Sequence, residues 1–228
     1  LRADARRRGA PPTGLRACPV AEVRVAALEH AFPSGDEVIA VAAIWRKPVS
    51  TVEERCLETF PRWLESLARD AQTLAQLLTA EQREGCQRRV ASILGYLFKS
   101  VDLIPDGLEE IGMLDDAFVL RVGAALLVLD DRLPEGEQGD GVRRLAADSL
   151  LVEEFLGPDM LRLRRYVESL GSLSSRGRTA DAVVRKPAVR RELLEDVESL
   201  AARYQPPRRP LDGHGLIKLS SFLTAKLP

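Results

Sequence analysis

Leu57, Phe60, Leu64, Leu67, Ala71, Leu74 and Leu78 follow one another at alternating steps of three and four. That period places them on one face of a helix. Ser50 followed by Glu53, and Thr51 followed by Glu54, both fit a capping box, so the helix is predicted to begin there. Pro61 falls inside the stripe and predicts either a kink or a fresh start near Thr59 with proline in the first turn. The stripe lasts only about three heptads, which favours bundle core over a coiled-coil seam.

A second apolar face runs through Cys86, Val90, Ile93, Leu94, Leu97 and Val101, after Thr79 and Gln82 in capping positions. It must end before Pro105, because proline disfavours the helical conformation in the residue ahead of it. Asp106 with Glu109 opens a short turn that Gly112 closes, and Asp115 or Asp116 then caps a third helix carrying Phe118, Val122, Ala125, Leu126 and Leu129. Pro134 to Gly141 reads as a loop, and helices follow at about 142–155 and 158–170. Gly171 to Arg178 is a Ser/Gly-rich linker, and Pro187 starts a helix through Tyr204 with Val189, Leu193, Val197 and Leu200 in register.

The pattern predicts an all-α protein: a multi-helix bundle with a short helix-turn corner near residues 102–116 and flexible termini. Four parts are expected. Residues 1–49 form an N-terminal extension, largely disordered or a weak hairpin, and 50–171 the helical core domain. Residues 172–205 hold a linker and a helix, and 206–228 a mobile tail whose stretch Leu216 to Leu227 is amphipathic.

Composition narrows the classes. Hydrophobic residues make up 45% of the 228, enough for a core, while aromatics are 5%. The net charge of -1 gives no general drive toward nucleic acid. It conceals two blocks: Ser100 to Met160 holds 15 acidic and 4 basic residues, and Leu161 to Pro228 holds 14 basic and 7 acidic. Such blocks can attract each other within one molecule or between copies, although solvated helix faces explain them more simply. The longest uncharged run, Ala71 to Ala80, is far short of the ~20 residues that span a bilayer. Cys18, Cys56 and Cys86 lack paired spacing, so they read as thiols in a reducing cytoplasm, with Cys56 and Cys86 buried.

Candidate chemistry concentrates in the corner. Asp102, Asp106, Glu109, Glu110, Asp115 and Asp116 put six carboxylates within 15 residues, and hard cations such as Mg²⁺ or Ca²⁺ favour oxygen ligands. The spacing is not that of an EF-hand, and Val119 stands where a DDxxD motif would need its third aspartate. No nucleophile elbow, Walker loop or H-E-x-x-H sequence is present. His30 and His214 lie in the two weakly patterned ends, and Gly213-His-Gly215 reads as a flexible turn. The arginines from Arg176 to Arg191 lack interleaved aromatics, so they carry no specific nucleic-acid signature. Capping explains Asp106, Asp115 and Asp116; Asp102 sits at the wrong helix end for the dipole and needs another partner.

The run Asp102-Leu-Ile-Pro-Asp106, followed by Gly112-Met-Leu-Asp-Asp116, resembles the YkvA-like family, a bacterial domain of unknown function (1232), over about residues 90–129. Asp102, Ile104, Pro105, Asp106, Gly112, Leu114, Asp115 and Asp116 carry the likeness. Ser100 stands where that family often has proline, and Gly107, Glu109 and Glu110 interrupt a usually apolar stretch. The resemblance implies a compact helical unit with no assigned activity, cofactor or substrate.

These readings favour a non-enzymatic helical interaction module, soluble or loosely membrane-associated, needing no cofactor or metal. Its partner is expected to be another protein or a second copy. The alternative is a carboxylate-dependent metal-binding protein or enzyme centred on residues 102–116.

Overall fold

The computed structural model describes residues 50–81, 83–99, 102–105, 107–108, 110–130 and 133–228. The expectations placed on residues 1–49, Gln82, Ser100, Val101, Asp106 and Glu109 lie outside the described residues. The chain divides into two units, Leu1–Pro48 and Val49–Pro228, and the second is described here.

The second unit is an all-α multi-helix bundle. Helix α1, Val52–Ala80, opens on the reciprocal capping box of Thr51 and Glu54. It runs without interruption through Pro61, so no second helix starts at Thr59. Its stripe is buried as the spacing predicts: Phe60, Leu67, Ala71, Leu74 and Leu78 are fully enclosed. Helix α2, Glu84–Tyr96, starts later than expected and has no side-chain cap. Thr79 belongs to α1, where its hydroxyl bonds back to the Ala75 carbonyl.

Helix α3, Leu114–Leu129, is the centre of the bundle. Every residue from Leu114 to Ala124 is buried, as expected of a helix that is apolar nearly all round. It packs on α1, α2 and, most extensively, on α4, Glu137–Leu156. Gly123 lets α2 approach: a Cβ there would meet Ile93 Cδ1 at 2.5 Å. An aromatic cluster joins three elements, with the Phe60 ring 5.0 Å from both Trp63 and Phe118 and 5.3 Å from Phe155.

Gly157 to Asp159 form a single tight turn into α5, Met160–Ser169. The segment read as a linker instead contains a minimal hairpin, β1 (Ser174–Ser175) against β2 (Arg178–Thr179). Arg176 and Gly177 turn it with φ of 49° and 76°, the left-handed pair of a type I′ turn. Helix α6, Ala180–Arg185, and helix α7, Pro187–Arg203, follow, with proline in the first turn of α7 as predicted. At the end of α7 the Tyr204 hydroxyl donates to the Leu64 carbonyl at 2.8 Å.

The final segment is packed rather than mobile. Asp212 caps α8, Gly213–Lys226, by accepting from the Gly215 amide at 2.8 Å. Leu216, Leu219, Leu223 and Leu227 enter the core from its apolar side. Gly213-His-Gly215 is therefore the first turn of a helix, and His214 is exposed there. Arg162 on α5 holds the other end through the carbonyls of Thr224 and Leu227.

The corner between the second and third helices

Tyr96 is the last residue of α2 and is 1% exposed. Its hydroxyl donates to Asp115 Oδ2 at 2.6 Å and accepts from the Leu103 amide at 3.1 Å. The same Asp115 oxygen accepts from the Ile104 amide, also at 3.1 Å. One phenol and one carboxylate thus satisfy two amides of the irregular 102–105 segment, which would otherwise be buried without partners. Leu103 and Ile104 are held inward as a result, at 5% and 0% exposure.

This arrangement gives Asp115 partners across the corner in addition to its own helix end. The cap position of α3 belongs to Met113, and no side chain bonds there. Asp115 lies inside the first turn, wholly buried, and its carboxylate bonds across the corner to Tyr96 and Ile104 as well as to the amides of residues 115 and 116 at its own helix end. Burial pushes its pKa up from 3.8 to about 6, against the lowering effect of the hydrogen bonds from Tyr96 and Ile104. The Tyr96 phenol is pushed far up, first by burial and then by the Asp115 charge.

The other motif positions separate. Asp116 is buried at 2% exposure, and its charge contributes to raising both Tyr96 and Tyr204. Asp102 is half-buried and Pro105 exposed. Gly112 is buried where the turn closes, its amide bonding to the Leu108 carbonyl. Glu110 faces the C-terminal segment: Lys218 Nζ lies 3.0 Å and an Arg209 nitrogen 3.9 Å from its carboxylate. The Lys218 hydrogen bond, and after it a bond from Glu110's own backbone amide, hold its pKa below the ordinary range, with the charges of Lys218 and Arg209 adding less. Part of the acidic block is therefore paired with the basic block inside one molecule.

A second buried polar cluster was not anticipated. Arg121, on α3, is 0% exposed, and so is Asp70 on α1. An Arg121 guanidinium nitrogen lies 3.1 Å from Asp70 Oδ2, and its Nε lies 3.3 Å from Asp148 of α4. Arg144, also on α4, binds the other Asp70 oxygen at 2.8 Å. The guanidinium also donates to the Ala117 carbonyl and stacks on the Trp63 ring, 4.1 Å from its centroid. Burial lowers the Arg121 pKa to about 10 even though both aspartates favour the charged form. Two arginines and two aspartates leave the cluster neutral while joining α1, α3 and α4. The sequence signal was Arg121 itself, the one charge between Ala117 and Leu129.

The corner thus has a defined internal architecture built on the motif. Residues 89–121 match the family model described as protein of unknown function DUF1232. The DUF1232 segment supplies Tyr96, both loop amides, Asp115 and Arg121, whereas Asp70, Arg144 and Asp148 come from outside it. No curated protein and no solved structure matches the chain.

The six carboxylates considered as a metal site do not gather, so far as they are described. Asp115 turns toward Tyr96 and Glu110 toward Lys218. Among the described residues no three histidine, cysteine, aspartate or glutamate side chains are grouped to hold an ion. Cys56 and Cys86 are buried free thiols, as predicted, and burial pushes Cys56 up to about 11. No helix among the described residues is long and apolar enough to cross a membrane.

Proposed function

We propose that the protein is a non-enzymatic helical interaction module, acting in solution or loosely at a membrane surface. The observation that carries this reading is the complete burial of Asp115. This carboxylate, whose pKa burial raises, is sealed against Tyr96 and the Ile104 amide, away from solvent. Arg121 is enclosed in the same way. Both groups hold helices together, which suits a scaffold presenting a surface. Leu129, Leu150 and Ile217 stand 68%, 64% and 67% exposed, large apolar side chains that a partner could cover.

The test pairs a turnover screen with a binding measurement. Purified protein is assayed for hydrolysis and group transfer with Mg²⁺, Mn²⁺ and Ca²⁺, and its self-association and partner capture are compared with those of Leu129→Glu and Leu150→Glu. The module reading expects no metal-dependent turnover and an association that one of these variants weakens. Metal-dependent turnover abolished by Asp115→Asn would replace it with the carboxylate-centred alternative.

A further inference from the structure

A cleft opens between the C-terminal half of α2, the β1–β2 hairpin and helices α6 and α7. One wall is apolar, formed by Leu170, Val183 and Leu193, with Leu173 at the mouth, 41% exposed. The other is lined by Lys99, Ser175 and Arg178, with the exposed Ser174 and Thr179 on the opposite face of the hairpin.

Lys99 is half-buried and its Nζ donates to the Tyr166 hydroxyl at 2.8 Å. It lies 5.2 Å and 5.7 Å from the ring centroids of Tyr166 and Tyr96. No described carboxylate pairs with it. Arg178, the other cation lining the cleft, is ion-paired with Asp196, a carboxylate it shares with Arg176, whose Nη1 lies 3.1 Å from it. Two tyrosine rings orient the ammonium but cancel none of its charge, so the cleft keeps one uncompensated positive group beside apolar walls.

Ser175 adds a second, independent sign. Its Oγ is shielded from solvent and bonds to no described group, which is unusual for a buried hydroxyl. The hairpin fixes it there through a turn that places Arg176, a non-glycine residue, at positive φ. Such a conformation persists only where surrounding contacts enforce it, and the Arg176 side chain is held over the Phe98 ring and against Asp196.

We propose that this cleft binds an oxyanion, a carboxylate or a phosphate, carried on a short apolar group. Lys99 supplies the charge, Ser175 donates a hydrogen bond, and Leu173 receives the apolar part. The oxyanion belongs either to a free small molecule or to a lipid head group, and one experiment separates these sources.

Binding of butyrate, butyl phosphate and inorganic phosphate is measured by calorimetry, with butylammonium as the opposite-charge control. Vesicles with and without phosphatidylglycerol are tested in parallel by sedimentation. The proposal expects saturable binding of at least one anion, or of the anionic vesicles alone if the source is a lipid. It expects Lys99→Gln to raise Kd about tenfold or more and Ser175→Ala to raise it less. Lys226→Gln, an exposed cation on α8 outside the cleft, should leave binding unchanged. The absence of binding to every anion and vesicle, equal binding of butylammonium, or retained affinity in folded Lys99→Gln and Ser175→Ala would each overturn it.

Discussion

Tyr96 and Asp115 are 19 residues apart and meet through a 2.6 Å hydrogen bond in a site closed to solvent. The bond ties the end of α2 to the start of α3 and pins the 103–104 amides between them. A helix junction containing a stretch of irregular backbone is thereby made specific, because moving either helix would strand buried polar groups. The same design recurs at Arg121 and Asp70, which tie the middle of α3 to α1.

Asp115 should make stability depend on pH. Its folded pKa is raised from 3.8 to about 6, so between those values the native state binds more protons than the unfolded chain. Stability from this group is intact below about pH 4 and falls as pH rises through 6. The rise corresponds to roughly 3 kcal/mol. Urea unfolding of wild type and Asp115→Asn from pH 4 to 7 should show the wild type losing ground to the variant by that order across this window. Parallel pH profiles would refute the assignment.

Arg121→Met should cost about 3–5 kcal/mol, because it leaves Asp70 and Asp148 without their shared buried cation. Replacing both partners, Arg121→Met with Asp70→Leu, should cost clearly less than the single change. Chemical denaturation measures both, and a double variant worse than the sum of the singles would contradict the pairing.

Gly123→Ala should destabilise although alanine favours helix by about 1 kcal/mol. The new methyl would press on Ile93 Cδ1 and Cγ1, at 2.5 Å and 2.6 Å, an overpacking that costs about 1–3 kcal/mol. Adding Ile93→Val, which removes Cδ1, should recover part of the loss in thermal melts.

Leu219→Ala should cost about 2–5 kcal/mol, since the side chain is fully buried where α8 meets the core. Lys218→Gln, which breaks only a partly exposed ion pair with Glu110, should leave the melting temperature near that of wild type. A Leu219→Ala protein as stable as wild type would restore the picture of a free tail.

What the sequence made legible follows from range. Helices α1 and α7 were readable because a capping box, a first-turn proline and a three-four period are all local signals. The buried cysteines followed from the same faces. The local pattern explains why Asp115 serves its own helix end, but nothing nearby in the sequence announces its second partner at Tyr96. Arg121 and Asp70 are 51 residues apart; only the lone charge in an apolar helix hinted that a buried counter-ion was needed. The C-terminal helix was read as mobile because its proline-rich approach dominated the local pattern, while its core partners lie far back in the chain.

Within the segment that matches DUF1232, Tyr96 and Asp115 act as an internal lock. A double-mutant cycle with Tyr96→Phe, Asp115→Asn and the combined variant, read by equilibrium unfolding at pH 7, tests it most directly. The account predicts that the two losses are not additive, with a coupling of about 0.5–3 kcal/mol. Losses that add to within about 0.3 kcal/mol would show that the two residues act independently, and the lock would be contradicted.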